Sequence, residues 1–321
     1  MDEDVLVGRE REMTDLERRL AAAGAGNGAL VLAEGDAGAG KTALARSLVR
    51  RARKAGMRVA WGACLEGEGA APYRPWAQVL RDVGKPGFPL LDPAVGEARS
   101  RFQLFDDVIE VLRTVSEERG LLVVLDDLHW ADVPSMRLLQ AVASAVADSR
   151  LLVVGLYRGR ETFPYAELGG VLRAILRERA AAQVTLGGLA PDEVAQLVAR
   201  ALGRPADRAL LRAVQERSEG NPLFVLELLR LADGSGRLEA GLPGGIREVI
   251  GRRLDRLPPA TRQAMRQASV LGREFTSGFV PVRSRTRGGP AAKRPTWVAA
   301  GATPRWSRTR PPCCGASPTH R

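Results

Sequence analysis

The 321 residues are 45% hydrophobic and 26% charged, the balance expected of a folded, soluble chain with room for about two domains of ~100–200 residues each. Formal charge is +11, yet nine of the 48 Lys and Arg lie in residues 283–321, which hold no acid, so the other 39 face all 37 acids and residues 1–282 carry only +2. No run of ~18 apolar residues is present, and the opening MDEDVLVGRERE lacks a basic start and an apolar stretch, so neither a membrane span nor an export signal is expected and the cytoplasm is.

In chain order, ALVLAEG (29–35) reads as a short buried strand and runs into GDAGAGKT, with Gly35, Gly40, Lys41 and Thr42 in the GxxxxGK[ST] spacing of a phosphate-binding loop. Such a loop turns its backbone N–H groups inward around phosphates, which side chains obstruct, and Gly35, Ala37, Gly38, Ala39 and Gly40 are small enough to allow it. Lys41 is placed to reach the terminal phosphates of ATP or ADP, and the Thr42 hydroxyl to hold Mg2+. The helix that follows, through Thr42 and Ala43, sets its positive end under the same phosphates.

MRVAWGAC (57–64) reads as the next strand. Residues 65–100 are rich in Gly and Pro around a short helix and read as an insertion over one face, and 101–119 are a helix. RGLLVVLDDLHWAD then gives five apolar residues, Leu121–Leu125, the pattern of a strand buried on both faces, ending in Asp126 and Asp127. Asp126 is the expected second Mg2+ holder. Asp127 stands where active ATPases commonly place a glutamate to orient water and is one methylene shorter, so slow hydrolysis is expected; a helix cap or an acid that supports the metal-holding residues is its alternative role. His129 and Trp130 are either nucleotide sensors or packing. SRLLVVGLYR (149–158) and AAQVTLGGL (181–189) are further strands, and Arg158 is either a phosphate reader or a solvated strand-end arginine.

Strands alternating with helices predict an α/β fold: a parallel P-loop NTPase sheet with helices on both faces over residues 1–189. Ligands of such sheets bind beyond the carboxyl ends of the strands, where residues 35–42, Asp126 and Arg158 fall. From Pro191 the strands stop, and amphipathic helices broken by Gly and Pro predict a helical lid over 190–235 and a second helical unit over 243–280.

LVGREREM, GDAGAGKT, VVLDDLHWADVPSMRLL, VVGLYR and EGNPLFVLELLR, in that order over roughly residues 4–275, resemble the ATPase module of the STAND class of signal-transduction NTPases. The closest likeness is to the large ATP-binding LuxR-type transcriptional regulators, whose ATPase domains are grouped with origin-recognition-like AAA ATPases. The resemblance implies that Val7, Gly8 and Arg9 lie near the adenine, that Pro222 brings the lid against the base, and that 243–280 begin a winged-helix unit. ATP would then act as a switch between sheet and lid, with weak hydrolysis of ATP and water to ADP and phosphate. The expected partners are ATP, a regulatory ligand or protein, and further copies of the chain in the ATP state, with no membrane.

Residues 283–321, rich in Arg, Pro, Gly, Ser and Thr with no apolar period, predict disorder and show no DNA-reading helix. They read either as a basic arm binding DNA by charge or as a frame-shifted end, which would make the chain a truncated regulator. Cys64, Cys313 and Cys314 make neither a disulfide framework nor a metal-ligand spacing. The rival readings are an ATP-dependent DNA loader, a small-molecule phosphotransferase and a non-functional remnant; DNA is otherwise reached only indirectly.

Overall fold

The computed structural model describes residues 6–66, 72–86, 88, 101–159, 166–230, 254 and 261–263. The chain divides into two compact units, Met1–Ile246 and Arg247–Arg321. In the second only residues 254 and 261–263 are described, all helical; the rest of the expected winged-helix unit (243–280) and the basic tail (283–321) lie outside the described residues. Among the described residues no helix is long and apolar enough to cross a membrane.

The first unit is built on five strands, β1 (Ala29–Gly35), β2 (Arg58–Ala63), β3 (Leu121–Asp126), β4 (Leu151–Tyr157) and β5 (Ala181–Leu186), in the order β2-β3-β4-β1-β5 with every pair parallel. The helices are α1 (Glu10–Gly24), α2 (Lys41–Lys54), α3 (Arg74–Asp82), α4 (Arg101–Arg119), α5 (Val133–Ala145), α6 (Ala166–Ile175), α7 (Pro191–Leu202), α8 (Arg208–Ser218) and α9 (Pro222–Arg230). Side chains alternate across the sheet. Leu30, Leu32, Val123, Leu125 and Val153 pack on the face covered by α3, α4, α5 and α6, whereas Val31, Ala33, Val124 and Val154 pack on the face covered by α1 and α2. Apolar runs without alternation are therefore the correct signature of these inner strands.

The expected strand at 29–35 and helix at 101–119 form over those residues, while the strands read at 57–64, 149–158 and 181–189 are shorter by one to three residues at an end. β5 stops at Leu186, before Gly187 and Gly188. The order β3-β4-β1 puts the loops after these three strands side by side at one edge of the sheet, which is what gathers the site.

The segment expected as an insertion contributes α3, and α3 belongs to the core. Trp76 is fully buried and its Nε1 donates to the Ser135 carbonyl at 3.0 Å. Along the outer edge of β2, Trp61 N donates to Asp82 Oδ2 at 2.9 Å and Ala63 N to Gln78 Oε1 at 2.6 Å, both acceptors standing on α3. Helices α7, α8 and α9 pack on one another through Val194, Val198, Leu210, Val214, Val225 and Leu229, with Leu189 joining from the preceding segment. Asp207 caps α8 by accepting from Leu210 N at 2.7 Å.

Candidate functional site

The phosphate-binding loop leaves β1 at Gly35 and enters α2 at Lys41. Lys41 is 8% exposed, and its Nζ donates to the carbonyls of Gly35 (2.8 Å) and Asp36 (2.9 Å). Burial first, and then the nearby Arg158 charge, push its pKa below the usual lysine value. The next carbonyls are also held by donors: Ala37 O accepts from Asn221 Nδ2 at 2.9 Å, Gly38 O from Leu223 N at 3.3 Å and Ala39 O from Arg9 Nη2 at 3.1 Å. Across a trans peptide the C=O of one residue and the N–H of the next point in opposite directions. With the Ala37 and Ala39 carbonyls held from outside the loop by Asn221 and Arg9, the N–H groups of Gly38 and Gly40 across those peptides point the opposite way, as an anion cradle requires. Ala39 N instead donates to Asp36 O at 3.1 Å and closes a turn. Ala37 is half-buried, Ala39 buried, and Ala43 exposed in the first turn of α2.

Asp126 closes β3 at 9% exposure, and the Thr42 hydroxyl donates to its Oδ2 at 3.2 Å. Residues 84 positions apart are thus in contact at the foot of the loop. Burial and the neighbouring Asp127 charge raise the Asp126 pKa above the usual carboxylate range, while Asp127 N donates to Asp126 Oδ1 at 2.9 Å. A hydroxyl and a carboxylate converging beside a phosphate loop are the hard oxygen donors that Mg2+ takes, so this pair fits that ion. Asp127 adopts a left-handed backbone (φ 56°), and its carboxylate, 46% exposed, lies 3.8 Å from Nδ1 of the fully buried His129. The His129 ring sits against Trp130 with centroids 5.1 Å apart. Arg158 follows β4, half-buried, close enough for its charge to act on Lys41 alongside those of Asp127, Asp126 and Asp36. Lys41, Thr42, Asp126, Asp127 and Arg158 are therefore one electrostatic cluster.

The N-terminal motif lies on the other side of the loop. Val7 is half-buried, and Gly8 has φ +68° with Leu189 Cδ2 only 2.7 Å from where a Cβ would stand. Arg9, 4% exposed, spans from Ala39 O to Gly187 O (2.5 Å), with Glu12 Oε1 at 3.2 Å from its other amine. Pro222 opens α9, one residue after Asn221. Asn221 escaped the sequence reading. An Asn before Pro at a helix start signals a cap, but nothing local tells that its amide reaches a residue 184 positions away. Beside Thr42 and Asp126, a hollow of about 400 Å3 is lined by Arg46, Arg50 and Arg53 of α2 and by Trp61.

Residues 5–154 match the model of the family described as AAA ATPase domain. A curated relative, an uncharacterized protein of Rhizobium meliloti (strain 1021), is 26% identical over 320 aligned positions covering 84% of this chain, which spans only 30% of that protein's length. Among solved structures, the Walker-type ATPase of Pyrococcus abyssi aligns at 18% identity and TM-score 0.45, covering 83% of this chain and 75% of its own. A signal transduction ATPase with numerous domains and a tetratricopeptide repeat sensor, from Pyrococcus horikoshii, aligns at 18% and 0.43, covering 83% of this chain and 35% of its own. Five parallel strands flanked by helices and a GxxxxGKT loop give the chain the P-loop NTPase fold, and its residues 5–154 are similar to AAA ATPase domains.

Proposed function

We propose that the chain is an ATP-binding, slowly hydrolysing regulatory switch, the ATPase module of a larger transcriptional regulator of the STAND class. The observation that carries this reading is the contact between Thr42 and Asp126 at the foot of a glycine loop whose Ala37 and Ala39 carbonyls are held from outside by Asn221 and Arg9. In it, the N–H groups of the loop and the first turn of α2, through Ala43, bind the phosphates, and Lys41 swings from the Gly35 and Asp36 carbonyls to the terminal phosphate. Thr42 and Asp126 hold Mg2+, which screens phosphate charge when bound. Val7, Gly8 and Arg9 border the adenine side, with Pro222 closing on the base from the lid.

Asp127 orients the attacking water, and Arg158 steadies charge on the terminal phosphate. Asp127's short, half-exposed carboxylate, shared with His129, suits slow turnover and therefore a long-lived ATP state. The test is equilibrium binding of ATP and ADP with Mg2+ to the chain and to Lys41→Ala, with phosphate release followed in the same samples. Tight binding lost in the variant, with turnover far below ~1 per second, a slow value among enzymes, supports the switch. Absence of binding by the unaltered chain makes it a remnant.

A second reading rests on the Arg46, Arg50 and Arg53 stripe with Trp61 beside the metal pair, a surface suited to nucleic-acid phosphates. Under it DNA accelerates phosphate release, and Arg50→Glu abolishes the acceleration while leaving basal turnover in place.

A further inference from the structure

We infer that Asn221 is a positioning residue that couples the phosphate loop to helices α7, α8 and α9 by holding the loop from its outer, carbonyl side. The inference rests on the nucleotide-binding reading and adds the route by which occupancy of the loop reaches the lid.

The Asn221 side chain has two tasks. Its Oδ1 accepts from Leu223 N (3.1 Å) and Phe224 N (3.4 Å), capping α9, and its Nδ2 donates to Ala37 O (2.9 Å). The opposite amide orientation would set an NH2 against two N–H donors and an oxygen against a carbonyl, so the network admits one orientation. Leu223 N is shared between the cap and Gly38 O. α9 also lies flush on the loop at Gly38 (φ +83°): a Cβ there would stand 2.6 Å from Leu223 Cβ and 2.7 Å from Asn221 Oδ1.

These bonds belong to a closed ring. Leu189 N donates to Gly220 O at 2.7 Å, which ties the turn before α9 to the segment after β5. Arg9 then joins Gly187 O of that segment back to Ala39 O of the loop. The peptide units that carry the Gly38 and Gly40 N–H groups therefore offer their carbonyls to Asn221 and Arg9, and Leu223 N holds the Gly38 carbonyl between them. A peptide plane is rigid, so the N–H of Gly38 cannot turn without turning the carbonyl of Ala37. The geometry that receives an anion is the geometry in which Asn221 is satisfied. Linkage then runs both ways: docking of α9 favours the anion-ready loop, and an anion in the loop favours docking. The coupling acts through the phosphates and needs no contact with the base, so ADP engages it as well as ATP.

The test is hydrogen–deuterium exchange on the full chain with Mg·ATP, Mg·ADP or neither. Asn221→Ser keeps a capping oxygen for α9 but cannot span to Ala37 O. Asn221→Asp keeps size and cap and sets an acceptor against that carbonyl; it carries the test alone if the serine variant fails to fold. In the unaltered chain, either nucleotide slows exchange in residues 35–45 and in 208–230. In the variants slowing persists at 35–45, whereas slowing at 208–230 falls at least about five-fold, the lower end of allosteric couplings, and nucleotide affinity weakens about ten-fold, as for one hydrogen bond to a positioned group. Equal slowing at 208–230 in variant and unaltered chain overturns the coupling and leaves nucleotide binding standing. No slowing at 35–45 in the unaltered chain overturns the binding reading and the coupling with it.

Discussion

The sheet and the helical trio α7–α9 are built to different specifications. Each inner strand of the sheet is buried on both faces, with Leu30, Leu32, Val123 and Leu125 at 0% exposure on one side and Val31, Ala33 and Val124 at 0% on the other. The trio has a small interior of valines and leucines around Val198 and Val214, and it meets the phosphate loop through the Asn221 amide, Leu223 N and the Leu223 side chain. Burial of apolar area is the main source of stability, so the trio is the part that opens first. The proposed switch would use this asymmetry, with a stiff body to hold the nucleotide and a looser one whose docking reports it.

Matched truncations break or sharpen that contrast most strongly. Leu125→Ala, inside β3, costs ~2–5 kcal/mol and moves the whole denaturant transition. Leu210→Ala, in the trio, leaves that transition in place and produces an earlier one seen as faster amide exchange in residues 208–230. A single shared transition shifted alike by both variants would show that the two regions unfold as one unit and erase the contrast.

Next in size is Asp126→Asn. A carboxyl whose folded pKa lies above its ordinary value adds stability below that value and loses it as pH rises through the raised one. At neutral pH the ionised Asp126 therefore opposes folding. Relief of such a site group typically yields ~0.5–2 kcal/mol, so without nucleotide Asp126→Asn melts about 1–8 °C higher. The gain shrinks as pH falls through the raised pKa toward the ordinary carboxylate value, and Mg2+-dependent nucleotide binding is lost. Melting curves across pH, with and without Mg·ATP, separate the two effects.

Asp207→Ala removes the α8 cap at a cost of ~1 kcal/mol, and amide exchange confined to α8 and α9 detects it. Smallest of all is Cys64. Burial pushes its thiol up to about 12, so in a Cys313→Ser, Cys314→Ser background it stays unlabelled by iodoacetamide at about pH 8 until the sheet opens. Prompt labelling of the folded chain would show that the sheet is looser than the contrast requires.

How much of this was legible in the sequence follows from range. The loop, Lys41, Thr42 and Asp126 could be read because glycine spacing and an apolar run ending in acid are local patterns whose geometry is set by the strand and helix that flank them. The inner strands were legible for the same reason, since burial on both faces leaves an unbroken apolar run. The ends of β4 and β5 were not, because pairing with a neighbouring strand decides where a ladder stops. The burial of α3 was not legible, since the Gly/Pro-rich flanks of the segment read as an insertion over one face hide how deeply Trp76 is seated. Arg9 and Asn221 were hardest. Their partners, Ala39 and Ala37, are contacted through backbone carbonyls, and a carbonyl leaves no trace in residue type.

The side chains of α3 that meet β2 bear on how the protein behaves in a crowded solution. An outermost strand with free N–H groups is a template on which another chain can extend a sheet. Here Asp82 and Gln78 already occupy the N–H groups of Trp61 and Ala63, so on that side an incoming strand would have to displace a carboxylate and an amide before it could pair. Two polar residues on one short helix thereby stand in for a sixth strand and keep this margin of the sheet from seeding aggregation.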